Sequence, residues 1–433
     1  MIRYTPSTAE WHRVAPLNYG FPEDHRKTGG RWYPTLLTLA NGNVLALSGT
    51  PGEEEPEYVN FIPEVFRPYP LPDGSWHRLG NYQDLAQRDM FAMNTPPFYP
   101  RVHLLPTGHV IQTTPTPGAG RTVAISVNES PWSAAFHDVC KFTPLHYGNQ
   151  YRQTSVLLPL LAGENYHRRR LLIAGDTDAW MLDLSGWQPG ATPPDEDAWK
   201  WKRTEPRALA GRPPRIHGDA VLLPTGQVLF VGGVGGTTND EQADAVRTPE
   251  IFDPRTDKWS ALTAPNEQAQ VVRNYHSVAL LMRDGRVWTA GSSHNGHPGI
   301  NNAEMRIEVY EPWYHGNPNR PEILAAPDRW TTGEQFILRT TQASDIRRVA
   351  MVRTGSCTHA FNADQRYVSL KFTYEGGDIL AVTAAPDGNI APTGMYFLYT
   401  INKQGLPSDG ITIYQSTDPA SDVEGAWDGL VQD

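Results

Sequence analysis

The sequence predicts an all-β protein, a β-propeller followed by a smaller β-sandwich, and three observations carry that expectation. One hairpin pattern recurs five times around a turn glycine. A second pattern, an outer strand ending in a turn and a tryptophan, recurs between the copies. Beyond about residue 316 both patterns stop and evenly spaced short strands take over. Glycine and proline, 38 of each, punctuate the chain, and 13 Trp and 18 Tyr favour pleated, half-buried surfaces.

The five hairpins are YPTLLTLANGNVLALSG from Tyr33, YPRVHLLPTGHVIQTT from Tyr99, TSVLLPLLAGENYHRRRLLIAGD from Thr154, HGDAVLLPTGQVLFVGG from His217, and RNYHSVALLMRDGRVWTAGSS from Arg273. Each is an apolar run, a turn and a second apolar run, the pattern of paired buried strands. Their turn glycines, Gly42, Gly108, Gly163, Gly226 and Gly285, stand about 55 to 66 residues apart, a period that means repeat units of several strands. A propeller blade is such a unit, because it buries its faces only against its neighbours. The tryptophan-ended segments YTPSTAEWHRV from Tyr4, LPDGSWHRL from Leu71 and IFDPRTDKWSAL from Ile251 supply outer strands. RIEVYEPWY, ending at Tyr314, is the last of these, and HGNPNRPEI reads as a linker. Residues 1–316 therefore form the propeller and 317–433 the second domain. There EQFILRT, IRRVAMVRT, YVSLKFTYE, DILAVTAA, GMYFLYTIN and ITIYQS predict an antiparallel sandwich of about 100 residues.

A formal charge of −10 excludes a nucleic-acid surface, which needs clustered Lys and Arg. Arg168, Arg169 and Arg170 are expected at a solvated loop edge, and the acidic run Glu53, Glu54 and Glu55 in an exposed turn. With two cysteines, Cys140 and Cys357, no disulfide framework can be expected. No apolar stretch reaches membrane-spanning length, and the opening MIRYTPSTAEW does not read as a signal peptide.

Setting the turn glycines in register places Tyr33, Tyr99, Thr154, His217 and His276 at one position, nine residues upstream. In a propeller the equivalent strand ends of all blades ring one mouth. Tyr33, Tyr99, His217, Tyr275 and His276 thus become candidates for a single site. Phenol oxygen and neutral imidazole nitrogen suit copper, and a cation can deprotonate a phenol whose free pKa is about 10.

RNYHSVALLMRDGRVW, GRWYPTLLTLANGNVLALSG and, in the second domain, MVRTGSCTHAFNADQRYVSL together resemble the galactose oxidase and glyoxal oxidase family of copper radical oxidases. The similarity runs through nearly the whole chain. It implies a kelch-type propeller, seven-bladed in the family, with an immunoglobulin-like C-terminal domain. It implies one copper ion per chain, held by an axial tyrosine matching Tyr275, an equatorial histidine matching His276, and a radical tyrosine matching Tyr33 in its W-Y-P stretch. A second histidine, matching His359, comes from a T-H…D-Q-R stretch here made by Thr358, His359, Asp364, Gln365 and Arg366. The implied reaction oxidises a primary alcohol, an aldehyde or a carbohydrate with O2, giving H2O2. In it Tyr275 takes the substrate proton, Tyr33 abstracts a hydrogen atom and copper accepts the second electron. A monomer, secreted or held at the cell surface, is implied as well.

In the family a thioether joins the radical tyrosine to a cysteine that precedes it. No cysteine precedes Tyr33, so no Tyr-Cys thioether is expected in this chain. Five hairpins against seven blades make an N-terminally incomplete form the preferred expectation, ahead of a descendant that lost the crosslink. Trp32, Trp180 and Trp288 are expected to be packing residues, and His294 and His297 loop residues. The alternative reading is a non-catalytic kelch propeller that binds a glycan or a protein partner. His359 discriminates, because such a propeller needs no imidazole delivered by a second domain.

Overall fold

The computed structural model describes residues 2–5, 10–15, 17, 30–50, 59–68, 73–81, 83–145, 152–211, 213–235, 244–293 and 303–417. Among them, four four-stranded antiparallel sheets and one three-stranded sheet succeed one another as blades. The innermost strands are Thr35–Thr38, Val102–Leu104, Thr154–Leu157, Asp219–Leu222 and Val278–Leu281. A separate two-stranded hairpin joins Ile2–Thr5 to Glu10–Arg13, where one outer strand was expected. His294, His297 and Glu53 to Glu55 lie outside the described residues.

The period arises because each blade repeats the same pairings. Phe66 faces Trp76 across the outer pair of the first blade, and Phe252 faces Trp259 in the fourth, with ring centroids 5.1 Å apart in both. These cross-strand aromatic pairs explain the tryptophan that ends each outer segment. Among the described residues one α-helix, Leu85–Asn94, interrupts the strands and is capped by the Asp84 carboxylate, which accepts from the Ala86 and Gln87 amides.

The third blade corrects the expected register. Gly163 sits in a one-turn 3-10 helix inside a long hairpin loop, not at a tight turn. Pairing of Thr154 with Ala174, matched to Thr35 with Leu47 and Asp219 with Val231, makes Arg152 the counterpart of Tyr33, Tyr99, His217 and His276. The arginine run is corrected too. Arg169 and Arg170 are buried, and Arg170 pairs with Asp257 of the next blade at 2.7 Å.

All six expected strands of the second domain form, and two short ones, Ile323–Ala325 and Arg329–Thr331, join them. They make one curled eight-stranded sheet, because the long strand Tyr367–Gly376 pairs with Ile346–Arg353 through its first half and with Ile379–Thr383 through its second. This sheet seats under the hairpin turns of the propeller. The turn at Gly108 abuts Asn389, that at Gly226 abuts Arg348 and Tyr367, and the third-blade loop at Leu160 pairs directly with Val368. The apolar core is continuous across the junction: Val156, Leu172 and Phe230 of the propeller pack in one cluster with Ala350, Tyr367 and Tyr399. Among the described residues, no helix is long and apolar enough to cross a membrane.

Candidate functional site

The strand entries at the mouth are strained. Tyr33, Tyr99, His217 and His276 have φ of 62°, 37°, 64° and 65°, a left-handed conformation that costs a side-chain-bearing residue roughly 1–2 kcal/mol. Close packing enforces the turn. A Cβ on Gly291 would lie 2.7 Å from the His276 carbonyl oxygen, so only glycine lets the second strand pass so near. Successive entries also bond to one another: the Tyr99 amide donates to the Tyr33 carbonyl and the His217 amide to that of Arg152, each at 2.8 Å.

Buried arginines lock three of these turns. Arg31 Nη1 donates to the Ser48 carbonyl, Arg215 Nε to that of Gly232 and Arg273 Nη1 to that of Gly291, each at the residue after the second strand of its blade. Each also pairs with the glutamate that opens the third strand: Arg31 with Glu64 at 2.9 Å, Arg215 with Glu250 at 3.1 Å and Arg273 with Glu308 at 3.6 Å. These arginines carry no mark in an apolar pattern. Their signal is an Arg two or three residues before each ring position, as in R-W-Y, R-I-H and R-N-Y-H.

The turn also accounts for adjacent rings. Tyr275 stacks on His276 with centroids 3.8 Å apart and planes 27° apart, and Trp32 stacks on Tyr33 at 3.8 Å and 19°. Trp32 was expected to pack in the scaffold. It instead covers one face of the Tyr33 ring.

The second domain enters this ring through the hairpin Cys357–Thr358 and Phe361–Asn362. Its two turn residues, His359 and Ala360, have φ of 48° and 63°. Two positive φ angles mark the tight hairpin turn usually filled by Asn-Gly, so placing a histidine there stores strain. Several bonds hold it. Arg101 Nη2 donates to the His359 carbonyl at 2.5 Å, Cys357 Sγ to Asp219 Oδ1 at 3.2 Å, and the Gln365 amide group bridges the Leu222 amide (3.0 Å) and the Ala220 carbonyl (2.9 Å). Arg366 Nη1 reaches the Leu104 carbonyl at 2.9 Å. Gln365 and Arg366, read from the sequence as motif positions, thus fasten the hairpin to the fourth and second blades.

Around His359 the chain gathers side chains from distant positions. Tyr33 Oη and Tyr275 Oη lie 2.6 Å apart. The His359 ring centroid is 4.7 Å from that of Tyr33, 5.3 Å from Tyr275 and 4.9 Å from His276. Tyr99 stacks on His359 at 4.5 Å, and His217 lies 5.0 Å from Tyr275. Tyr33, Tyr275, His276 and His359 therefore share one cluster, with Tyr99 and His217 at its edge, whereas Thr154 begins a strand below it. The cysteines lie elsewhere. Cys140 ends the outer strand of the second blade with its thiol on the Phe142 carbonyl, and Cys357 engages Asp219.

Thr358 Oγ1 lies 2.7 Å from His359 Nδ1 and orients the ring. Burial, aided by the positive fields of His276, Arg101 and His217, pushes the His359 pKa down to about 3, and burial lowers that of His276. Both imidazoles are thus neutral at pH 7, the form that binds metals. Among the described residues no group of three or more His, Cys, Asp or Glu is placed to hold a metal ion. A metal in this cluster would need phenol oxygen beside its two imidazoles.

Residues 22–314 match the family described as Glyoxal oxidase N-terminus, and residues 320–414 the one described as Galactose oxidase-like, Early set domain. A galactose oxidase of Gibberella zeae is 32% identical over 202 residues, 46% of this chain and 29% of that protein. The aldehyde oxidase GLOX of Vitis pseudoreticulata is 28% identical over 417 residues, 88% of this chain and 71% of the relative. In fold the chain is similar to a fungal alcohol oxidase solved in complex with copper, with a TM-score of 0.69 at 21% identity, covering 89% of this chain and 76% of that one. The curated galactose oxidase is thus matched over less than a third of its length. With its family match covering most of the propeller and a second match continuing through the curled sheet, the chain belongs to the glyoxal oxidase family of galactose oxidase-like proteins.

Proposed function

We propose that this chain is a copper-dependent oxidase that converts a primary alcohol, aldehyde or carbohydrate substrate with O2 into the oxidised product and H2O2. One copper ion would be held by Tyr33, Tyr275, His276 and His359. The observation that supports it is the meeting of two phenol oxygens 2.6 Å apart with the rings of two neutral imidazoles, from three segments as far apart as residues 33 and 359. The donor set fits copper, which takes imidazole and oxygen ligands strongly. With His359 Nδ1 engaged by Thr358, Nε2 would face the metal. Bound there, copper supplies a one-electron acceptor and a positive charge that favours phenolate.

The chain's own groups divide the remaining work. Tyr275 Oη, as phenolate, takes the hydroxyl proton of the substrate, an alcohol or the hydrate of an aldehyde, and Tyr33 Oη, as a phenoxyl radical beneath the Trp32 indole, takes the hydrogen atom from its carbon. The substrate loses two protons and two electrons, and O2 gains both. Cys140 Sγ donates to the Phe142 carbonyl and Cys357 Sγ to Asp219, and this reading assigns neither a bond to Tyr33. Trp32 is then the group that shields the Tyr33 ring. A monomer working in a secreted or cell-surface setting completes the proposal.

Copper titration with electron paramagnetic resonance, followed by peroxide release from a panel of primary alcohols and aldehydes, tests it. The expected result is one equivalent of copper with nitrogen coupling, turnover on at least one panel member, and loss of both in His359→Ala. Absence of stoichiometric copper after loading overturns the reading. Copper without peroxide across the panel removes the oxidase and leaves the metal site.

A further inference from the structure

A second cavity lies at the opposite end of the fourth blade. Its volume is about 210 Å³, and it is lined by Thr225 and Gln227 at the hairpin turn, Arg255 on the outer hairpin, Trp313 on the connecting segment, and Arg347, Arg348 and Lys403–Gly405 on the second domain. The chain runs from His217 at the mouth through the strand Asp219–Leu222 to the turn that begins at Leu223, roughly 20 Å away. A ligand here cannot touch the cluster around His359.

Its lining carries four cations and no carboxylate, in a chain whose net charge is −10. Two of them are partly neutralised. Arg255 forks onto Asp253 at 3.0 and 2.6 Å, and Lys403 Nζ lies 3.5 Å from Asp345. Arg348 Nη1 makes only long contacts, to Tyr367 Oη at 3.2 Å and the Thr225 carbonyl at 3.4 Å. Arg347 is exposed and has no hydrogen bond or ion pair among the described residues. Beside these charges Trp313 leaves 55% of its surface in water, steadied by the edge of Tyr314, whose hydroxyl is tied to the Gly285 carbonyl at 2.5 Å.

We propose that this cavity is a binding site for an acidic carbohydrate, with a uronic acid residue as its unit. Three features select that chemistry together. Guanidinium forks match a carboxylate, a flat indole accepts the C–H face of a sugar ring, and the amides of Gln227 and Gln404 offer partners to hydroxyls. The volume admits about one ring, with further residues of a glycan chain running out over Trp313. A simple inorganic anion would use the cations and leave the indole idle. The site is independent of the oxidase reading, and would hold the protein against acidic glycan while the mouth works.

Calorimetric titration of the full chain with trigalacturonic acid, neutral galactotriose and inorganic phosphate tests it. Trigalacturonic acid is expected to bind once per chain, at least about tenfold tighter than the neutral trimer, and to weaken as salt rises. Arg347→Ala and Trp313→Ala should each lower its affinity by at least about fivefold, whereas His276→Ala should leave it unchanged. No preference for the acidic trimer overturns the proposal, as does parental affinity in both variants. Displacement by phosphate at equal concentration in the parent chain also overturns it, and that measurement requires no variant.

Discussion

Arg101 in the second blade and Asp219 in the fourth occupy the same register position, two residues after the ring residues Tyr99 and His217, yet they carry opposite charge. Both are buried, and both grip the hairpin that presents His359, one through its carbonyl and the other through the Cys357 thiol. Burial disfavours both charged forms: it lowers the Arg101 pKa to about 9 and raises that of Asp219 to about 7. The guanidinium is ionised at neutral pH all the same, while the carboxyl stands near its midpoint. One position on the repeat thus supplies a permanent clamp from one side and a titratable one from the other. The scaffold repeats its backbone, and its differences in side chain do the assembling.

Removing the permanent clamp should have the largest effect. Arg101 also donates to the Tyr99 and Gln153 carbonyls, both at 3.0 Å, so Arg101→Met strands three buried acceptors at once. We expect a stability loss of about 3–5 kcal/mol in urea unfolding and a fall in copper affinity of about tenfold or more by competition titration. Parental values for both would mean that the hairpin docks without Arg101.

That clamp shows where the sequence was legible and where it was not. Turn glycines and apolar runs mark blades because strand pairing has a fixed period, so the innermost hairpins and all six main strands of the second domain could be read. The third blade went out of register because its hairpin loop is longer, and Gly163 belongs to that loop rather than to a tight turn. Tyr33, Tyr275, His276 and His359 could be named because a resemblance singled them out of a larger ring of candidates. Arg101 could not, since it reads as one charged residue in an apolar strand, and its three acceptors come from residues 99, 153 and 359. Trp32 was misjudged for a related reason. Only the left-handed turn at Tyr33 brings the two rings face to face.

The titratable clamp predicts a pH dependence with a definite sign. With its folded pKa raised to about 7 from an ordinary 3.8, Asp219 binds a proton that the unfolded chain has released between those values. Its contribution to stability is complete below pH 3.8 and is lost as pH rises towards and past 7. Asp219→Asn, which keeps the shape without the ionisation, should gain on the parent by up to about 1.4 kcal/mol per pH unit within that window. His103, buried in the second blade with its pKa pushed down to about 3, acts in the opposite sense, losing stability as pH falls below 6.5. The comparison is therefore made as the difference between parent and variant at each pH, in which the His103 contribution cancels. A flat difference between pH 4 and 8 would show that Asp219 is ionised throughout.

The smallest expected effect isolates orientation from docking. Thr358 Oγ1 contacts His359 Nδ1 at 2.7 Å and also shares a hydrogen bond with the Tyr99 phenol, whose pKa burial raises. The second blade thus acts on His359 twice, through Arg101 on the backbone and through Tyr99 and Thr358 on the ring. Thr358→Val keeps the volume and the hairpin but removes the oxygen, freeing the imidazole to choose its tautomer. Copper affinity should fall by about tenfold, the low end for an outer partner of a ligand, because the backbone clamp remains. Thr358→Ser should restore it, and the unfolding midpoint of the metal-free protein should scarcely move in either variant. If Val keeps the parental affinity while Ser lowers it, the methyl group matters rather than the oxygen, and the second blade orients His359 through its backbone alone.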